Sequence, residues 1–176
     1  MNNFSLVPFA VDSVPPIEIV GNIDRSGHLL AIDYQLLGEL DSVAIPSPAA
    51  APSRKFGLWE ATCFEFFIGV IGDRNYWEFN LSPSGDWNVF HLDDYRQGLR
   101  DETAFTSLPF DVDRFANSLT LKLVVDLSQI ISIDRELEVS VTTVIKSTQD
   151  DISYWALTHC GEEADFHLRD SFVIKL

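Results

Sequence analysis

The chain is poor in the residues that would announce a chemistry. It has one methionine, Met1, and two cysteines, Cys63 and Cys160. Two cysteines fit neither a disulfide framework nor a zinc-ligand spacing, so free thiols and a cytoplasmic setting are expected. Only 12 Lys and Arg stand against 27 Asp and Glu, a net charge of −15. That surface repels phosphate backbones and anionic headgroups, so neither nucleic acid nor a membrane is an expected partner. No apolar run approaches the roughly 18 residues of a membrane span. Met1 to Phe9 has neither a basic start nor an apolar stretch, so no signal peptide is expected. No long amphipathic helix and no internal repeat is evident.

What the chain does have is alternation. Its 176 residues, 46% of them hydrophobic, suit one domain spanning 1–176 with a substantial core. Period-two patterns predict strands at Ile17–Ile23, His28–Leu37, Trp59–Ile71, Asn75–Ser82 and Trp87–Leu92. Further strands are predicted at Ala104–Phe110, Leu119–Val125, Glu138–Lys146, Ile152–His159 and Ser171–Leu176. Turn formers such as Asp24-Arg25-Ser26-Gly27 and Ser82-Pro83-Ser84-Gly85-Asp86 separate them. Short strands on hairpin-length turns imply an all-β protein, an antiparallel β-sandwich of jelly-roll type. The helical candidates are short: Asp126–Ile131, and a turn near Asp93–Gly98. Ser42–Lys55, with Pro46, Pro48 and Pro52, reads as a long loop, as does the acidic, histidine-bearing His159–Asp170.

Two strands carry the functional signal. Tyr76-Trp77-Glu78-Phe79-Asn80-Leu81 places Trp77, Phe79 and Leu81 on one face and Tyr76, Glu78 and Asn80 on the other. Thr62-Cys63-Phe64-Glu65-Phe66-Phe67-Ile68 sets one carboxylate among apolar residues. Glutamate is depleted in strands and seldom buried without a partner. A sheet face carrying Glu65, Glu78 and Asn80 is therefore either an internally satisfied polar cluster or a lined binding cavity.

Leu58-Trp59-Glu60, Cys63-Phe64-Glu65-Phe66-Phe67-Ile68 and Tyr76-Trp77-Glu78-Phe79-Asn80 together resemble the family 9 carbohydrate-binding modules and the wider DOMON-like sandwich superfamily. The resemblance covers Leu58 to Gly98, and Tyr154-Trp155-Ala156-Leu157 more loosely. It implies a sugar held between two tryptophans: Trp59 as the first, Trp155 as the second with Trp87 as its rival. It also implies that Glu65 bonds sugar hydroxyls, with Glu78 and Asn80 where the family carries a polar pair led by arginine. Some DOMON-like relatives hold haem between a methionine and a histidine. With Met1 the only methionine, neither haem nor a redox role is expected.

The residue types suit a sugar, whose ring faces stack on aromatics and whose hydroxyls need carboxylate or amide partners in the ring plane. The competing reading puts the tryptophans in the core, and for Trp77 the alternation with Phe79 and Leu81 favours it. Arg96 is expected in the same cavity, most simply as the counter-ion of Glu78. Glu65 and Glu78 also admit a glycoside hydrolase, with one carboxyl as acid and the other as nucleophile or base. A third reading is an interaction or structural domain whose polar cluster only specifies the fold. Should structural calcium be bound, Asp93-Asp94, Asp111-Val112-Asp113 and Asp150-Asp151 are the candidate ligands. The Ser42–Lys55 loop is expected to gate the site.

Overall fold

The computed structural model describes residues 1–9 and 14–176. Among these residues thirteen strands form: β1 (Asn2–Ser5), β2 (Val7–Pro8), β3 (Ile17–Ser26), β4 (Leu29–Gly38), β5 (Cys63–Val70), β6 (Tyr76–Leu81), β7 (Trp87–Leu92), β8 (Arg100–Asp101), β9 (Asp111–Arg114), β10 (Ser118–Asp126), β11 (Leu137–Lys146), β12 (Ile152–Ala156) and β13 (Ile174–Lys175). The first sheet runs β1-β3-β4-β10-β9 and the second β2-β12-β11-β5-β6-β7-β8, with β13 also paired to β11. Every ladder between these strands is antiparallel. The protein is an all-β, antiparallel β-sandwich. The only helices among the described residues are single 3-10 turns at Leu40–Ser42, Leu58–Glu60 and Arg169–Ser171.

Several predicted elements differ. Ala104–Phe110 is irregular, and the strand lies just after it at Asp111–Arg114, while Asp126–Ile131 forms turns rather than a helix. The predicted strand from Trp59 begins at Cys63, because Gly57 at φ 75° turns the chain into the 3-10 turn that carries Trp59. The short N-terminal strands β1 and β2 lack the length for a visible alternation and owe their state to pairing with β3 and β12.

The two sheets behave differently. In the first, the burial of β4 and β10 alternates, giving a half-wet sheet whose inner face carries Ile32, Tyr34, Leu36, Leu121 and Leu123. In the second, β5 and β6 are buried at every position. Their inward residues Phe64, Phe66, Ile68, Trp77, Phe79 and Leu81 meet the first sheet, with Phe66 stacked on Phe79 at 4.5 Å. Their outward residues lie beneath a second layer, formed by the turn Leu58–Glu60 and the chain after β12. There Phe67, Tyr76, Phe90, Phe166 and Phe172 make a satellite cluster against which Trp59 packs.

One hydrogen bond ties the sheets across the core. The hydroxyl of Tyr34 on β4, fully buried, donates to the backbone carbonyl of Glu65 on β5 at 2.7 Å. Tyr34→Phe removes that donor without changing shape, and a net buried hydrogen bond contributes about 1 kcal/mol. Urea unfolding of Tyr34→Phe should show a loss of that size with an unchanged denaturant slope.

Candidate functional site

The second layer does not seal the sheet. Between it and the outward face of β5, β6 and β11 lies a cleft of about 460 Å3, within the range of about 300–1,000 Å3 usual for ligand pockets. Glu65 and Glu78 line it together with Phe67 and Val144. Phe56, Trp59 and Leu99 form one part of its wall and Tyr154, Ala164 and Phe166 another. Arg96 and His167 complete its polar lining. Two hollows elsewhere, of about 190 and 160 Å3, combine no aromatic wall with buried glutamates.

Antiparallel pairing explains how the carboxyls meet. Glu65 on β5 is opposite Asn80 on β6, and Glu78 is two residues along the same face. Such diagonal neighbours sit about 7–8 Å apart at their Cα atoms. Glu78 Oε1 accepts a hydrogen bond from Asn80 Nδ2 at 2.8 Å, and Asn80 Oδ1 accepts from the Cys63 thiol. Glu65 is 3% exposed, and its Oε1 is buried with no hydrogen-bond partner.

Charge is displaced strongly here. Burial holds the Glu78 carboxyl up at about 7, only partly offset by the Asn80 hydrogen bond and the field of Arg96. Burial, reinforced by Glu78, pushes Glu65 well above the usual carboxylate range. His167 is pushed down to about 4 by burial and by Arg96, so it is neutral at pH 7. Its Nδ1 is hydrogen-bonded to the Tyr76 hydroxyl at 2.8 Å, and its Nε2 lies 3.9 Å from Glu78 Oε2. Burial raises the Tyr76 phenol to about 12.

The cover is held by its own ion pairs. Arg96, with a left-handed backbone at φ 51°, bonds Asp165 at 2.9 Å, and the Tyr95 hydroxyl donates to the same carboxylate at 2.5 Å. Farther along, Arg169 bonds Glu138 and donates to the carbonyls of Val70 and Asn75. It passes so close over Gly69 that a Cβ there would fall 2.0 Å from the guanidinium. A side chain at Gly69 would displace the guanidinium that fastens the cover.

Of the residues singled out in the sequence, Trp59, Glu65, Glu78 and Arg96 line the cleft. Asn80 lies beneath it, fully buried, and orients Glu78. Trp155 and Trp87 are elsewhere, both packed between the sheets. Trp155 is bonded to Ser153, and Trp87 lies under the Arg54 guanidinium. On β12 it is Tyr154 that faces the cleft, one residue from the expected tryptophan. Arg96 is the partner of Asp165 rather than of Glu78. The Ser42–Lys55 loop does not gate the cleft: its Ser53 and Lys55 bind Asp86, and only Phe56 just beyond it lines the wall. Sequence reading gave no sugar-binding role to His167 and Phe166, which lie in the acidic segment read as a loop, or to Tyr154 on β12. Of the candidate calcium ligands, Asp93 and Asp94 are paired with Arg100 and Arg74, and Asp150 with Lys146. Among the described residues no group of three or more His, Cys, Asp or Glu is arranged to hold a metal.

No family model matches the chain, and no curated protein does. Solved structures share its fold. A candidate carbohydrate-binding protein from Bacteroides uniformis superposes with a TM-score of 0.68 over 96% of this chain and 84% of that one, at 16% identity. A family 9 carbohydrate-binding module from Caldicellulosiruptor kristjanssonii, in complex with cellotriose, gives 0.53 over 89% and 72%, at 8% identity. The resemblance carried by Leu58 to Gly98 thus extends to the architecture as a whole.

The buried carboxyl has a measurable signature. A proton held with a pKa of about 7 in the folded chain, against the ordinary 4.5, favours the fold at low pH. That advantage is complete below 4.5 and is lost as pH rises through 7. Glu78→Gln mimics the protonated form at every pH. Relative to wild type it should gain about 3 kcal/mol between pH 4.5 and pH 8, at 1.36 kcal/mol per unit. Denaturant unfolding across that range checks it, and a difference independent of pH would contradict the assignment.

Proposed function

We propose that this protein binds a small carbohydrate or similar polyol in the cleft, without catalysis. The observation that carries the reading is the Glu65 carboxyl, buried at the cleft with an oxygen that no protein group satisfies. Buried polar groups are hydrogen-bonded as a rule, so this one is matched to something outside the chain. Glu78 beside it adds a second in-plane partner. Trp59, edge-on to Phe56 and Phe90 at 4.9 and 5.9 Å, is half-buried and supplies a rigid aromatic surface at the wall. Polar groups at the floor and aromatic plates at the side are what a sugar's hydroxyl edge and C–H face require. The neighbours described above, one a candidate carbohydrate-binding protein and one in complex with cellotriose, support the same class of ligand.

The hydrolase alternative fits less well. A glycosidase needs its two carboxyls driven apart, one protonated as acid and the other ionised as nucleophile or base. Burial pushes Glu65 and Glu78 both upward, and among the described residues neither has a bonded lysine or arginine that would single it out as the ionised member.

Trp59→Ala should weaken sugar binding by about 1–2 kcal/mol, the stacking contribution plus some lost apolar area. Titration calorimetry against mono- and disaccharides measures this. Wild-type protein that takes up none of them, or that turns over an aryl glycoside in a manner abolished by Glu65→Gln, would overturn the reading.

A further inference from the structure

The cleft has a charge deficit of a particular kind. Two carboxyls face it from adjacent strands, and among the described residues no lysine or arginine bonds either one. The basic groups that could have done so are committed elsewhere. Arg96 is held by Asp165 at 2.9 Å, Lys55 by Asp86 at 2.7 Å, and Arg169 by Glu138. His167 Nε2 stands 3.9 Å from Glu78 Oε2, outside hydrogen-bond distance. Asn80 satisfies one oxygen of Glu78, and Glu65 Oε1 has no partner at all. Around these acids stand Trp59, Phe67, Tyr154 and Phe166, aromatic faces that attract a cation as readily as they stack on a sugar.

We infer that the ligand carries a protonated amine, an amino sugar rather than a neutral one, whose ammonium group sits between Glu65 and Glu78 and supplies the missing counter-charge. This rests on the carbohydrate reading above. An ammonium group has three donors, enough for Glu65 Oε1 and the free oxygen of Glu78. The fixed groups facing the pair are Cys63 and Asn80 on the strands, Tyr76 and His167 behind, and the Arg96–Asp165 pair at the rim. Only Arg96 opposes a cation, and Asp165 offsets it. Burial raises the proton affinity of both carboxyls, with Glu78 adding to it at Glu65, and a proton there does what the ligand's charge would do. Binding must then expel that proton, because a neighbouring cation favours the ionised carboxylate.

The test is calorimetry at pH 6.5, where the sugar amine is charged, with glucose, glucosamine, N-acetylglucosamine and 2-aminoethanol. Glucosamine should bind about tenfold tighter than glucose or the acetylated sugar, a modest effect for a close, desolvated charge pair. Titration in two buffers of different ionisation enthalpy should show release on the order of one proton per glucosamine and far less with glucose. Glu78→Gln, with its fold verified by circular dichroism, should shrink the glucosamine-to-glucose ratio to about threefold or less. Equal affinity for glucose and glucosamine, or no proton release with the amine, overturns the amine inference and leaves the carbohydrate reading standing. If 2-aminoethanol binds as tightly as glucosamine, the carbohydrate reading falls, and the amino sugar with it. If none of the four binds, both fall. The proton-release measurement uses the wild type, so it decides the matter even where the variant does not fold.

Discussion

The registry of β5 against β6 is the constraint on which the rest depends. Phe66 faces Phe79 and Ile68 faces Trp77 across that ladder, and Glu65 faces Asn80. Because side chains alternate, the same pairing that stacks Phe66 on Phe79 inside the sandwich sets Glu65, Glu78 and Asn80 on the opposite surface. A slip of one residue in either strand would drive its carboxyl between the sheets and turn its inward aromatics outward. The core thus holds the register, and the register assembles the site. Tyr34 strengthens the link by bonding the carbonyl of Glu65 itself from the other sheet.

The second sheet would be an ordinary half-wet face if nothing covered it. Phe67, Tyr76, Phe90 and Leu92 make it too apolar for that, and the chain after β12 returns across it to bury them under Phe166 and Phe172. This cover has little regular structure of its own, so side chains hold it in place. Arg169 is threaded over Gly69 at one end, and the Asp165 carboxylate is gripped by Tyr95 and Arg96 at the other. The cleft is the space these fastenings leave, which is why its floor comes from strands and its walls from loops. Rigid strands fix the carboxyls, and the less regular segments can vary the walls.

Much of this was legible in the chain because period two is a strong signal where strands are long and one face is uniformly apolar. The runs around Glu65 and Glu78 met both conditions, so their shared face could be read directly, whereas Trp59 beside it was implied only by the family resemblance. Parity failed on β12, where Ser153-Tyr154-Trp155-Ala156 mixes small and aromatic residues on both faces and the strand is only five residues long. The tryptophan of that pair went into the core and the tyrosine to the cleft. Trp87 was ambiguous for another reason: it opens β7 beside a proline-rich loop, and what settles its side is Arg54, brought over its ring from that loop. His159–Asp170 could not be read at all by pattern, since its acidic composition suggests a solvated loop. Its role depends on Asp165, Phe166 and His167 meeting Arg96, Tyr154 and Tyr76 across long sequence separations.

The contrast between the surface and the site is the physical point that remains. A chain with net charge −15 scatters its acids in water, where each costs little. Asp86 is buried but answered by Lys55, whereas Glu65 and Glu78 are taken out of water beside one another with neither lysine nor arginine among the described residues bonded to them. A purely structural use would have been served by glutamine, or by an arginine nearby, without the penalty of burying two like charges. Burial favours the protonated form of both carboxyls, and on the proposed reading they become strong acceptors when a ligand brings donors or charge to replace the proton. The cost is borne in the folded state, beside an aromatic wall and under a fastened cover. Strain and unsatisfied polarity persist in proteins where function holds them in place. On the proposed reading the unpartnered oxygen of Glu65 is half of a contact rather than a defect in the core.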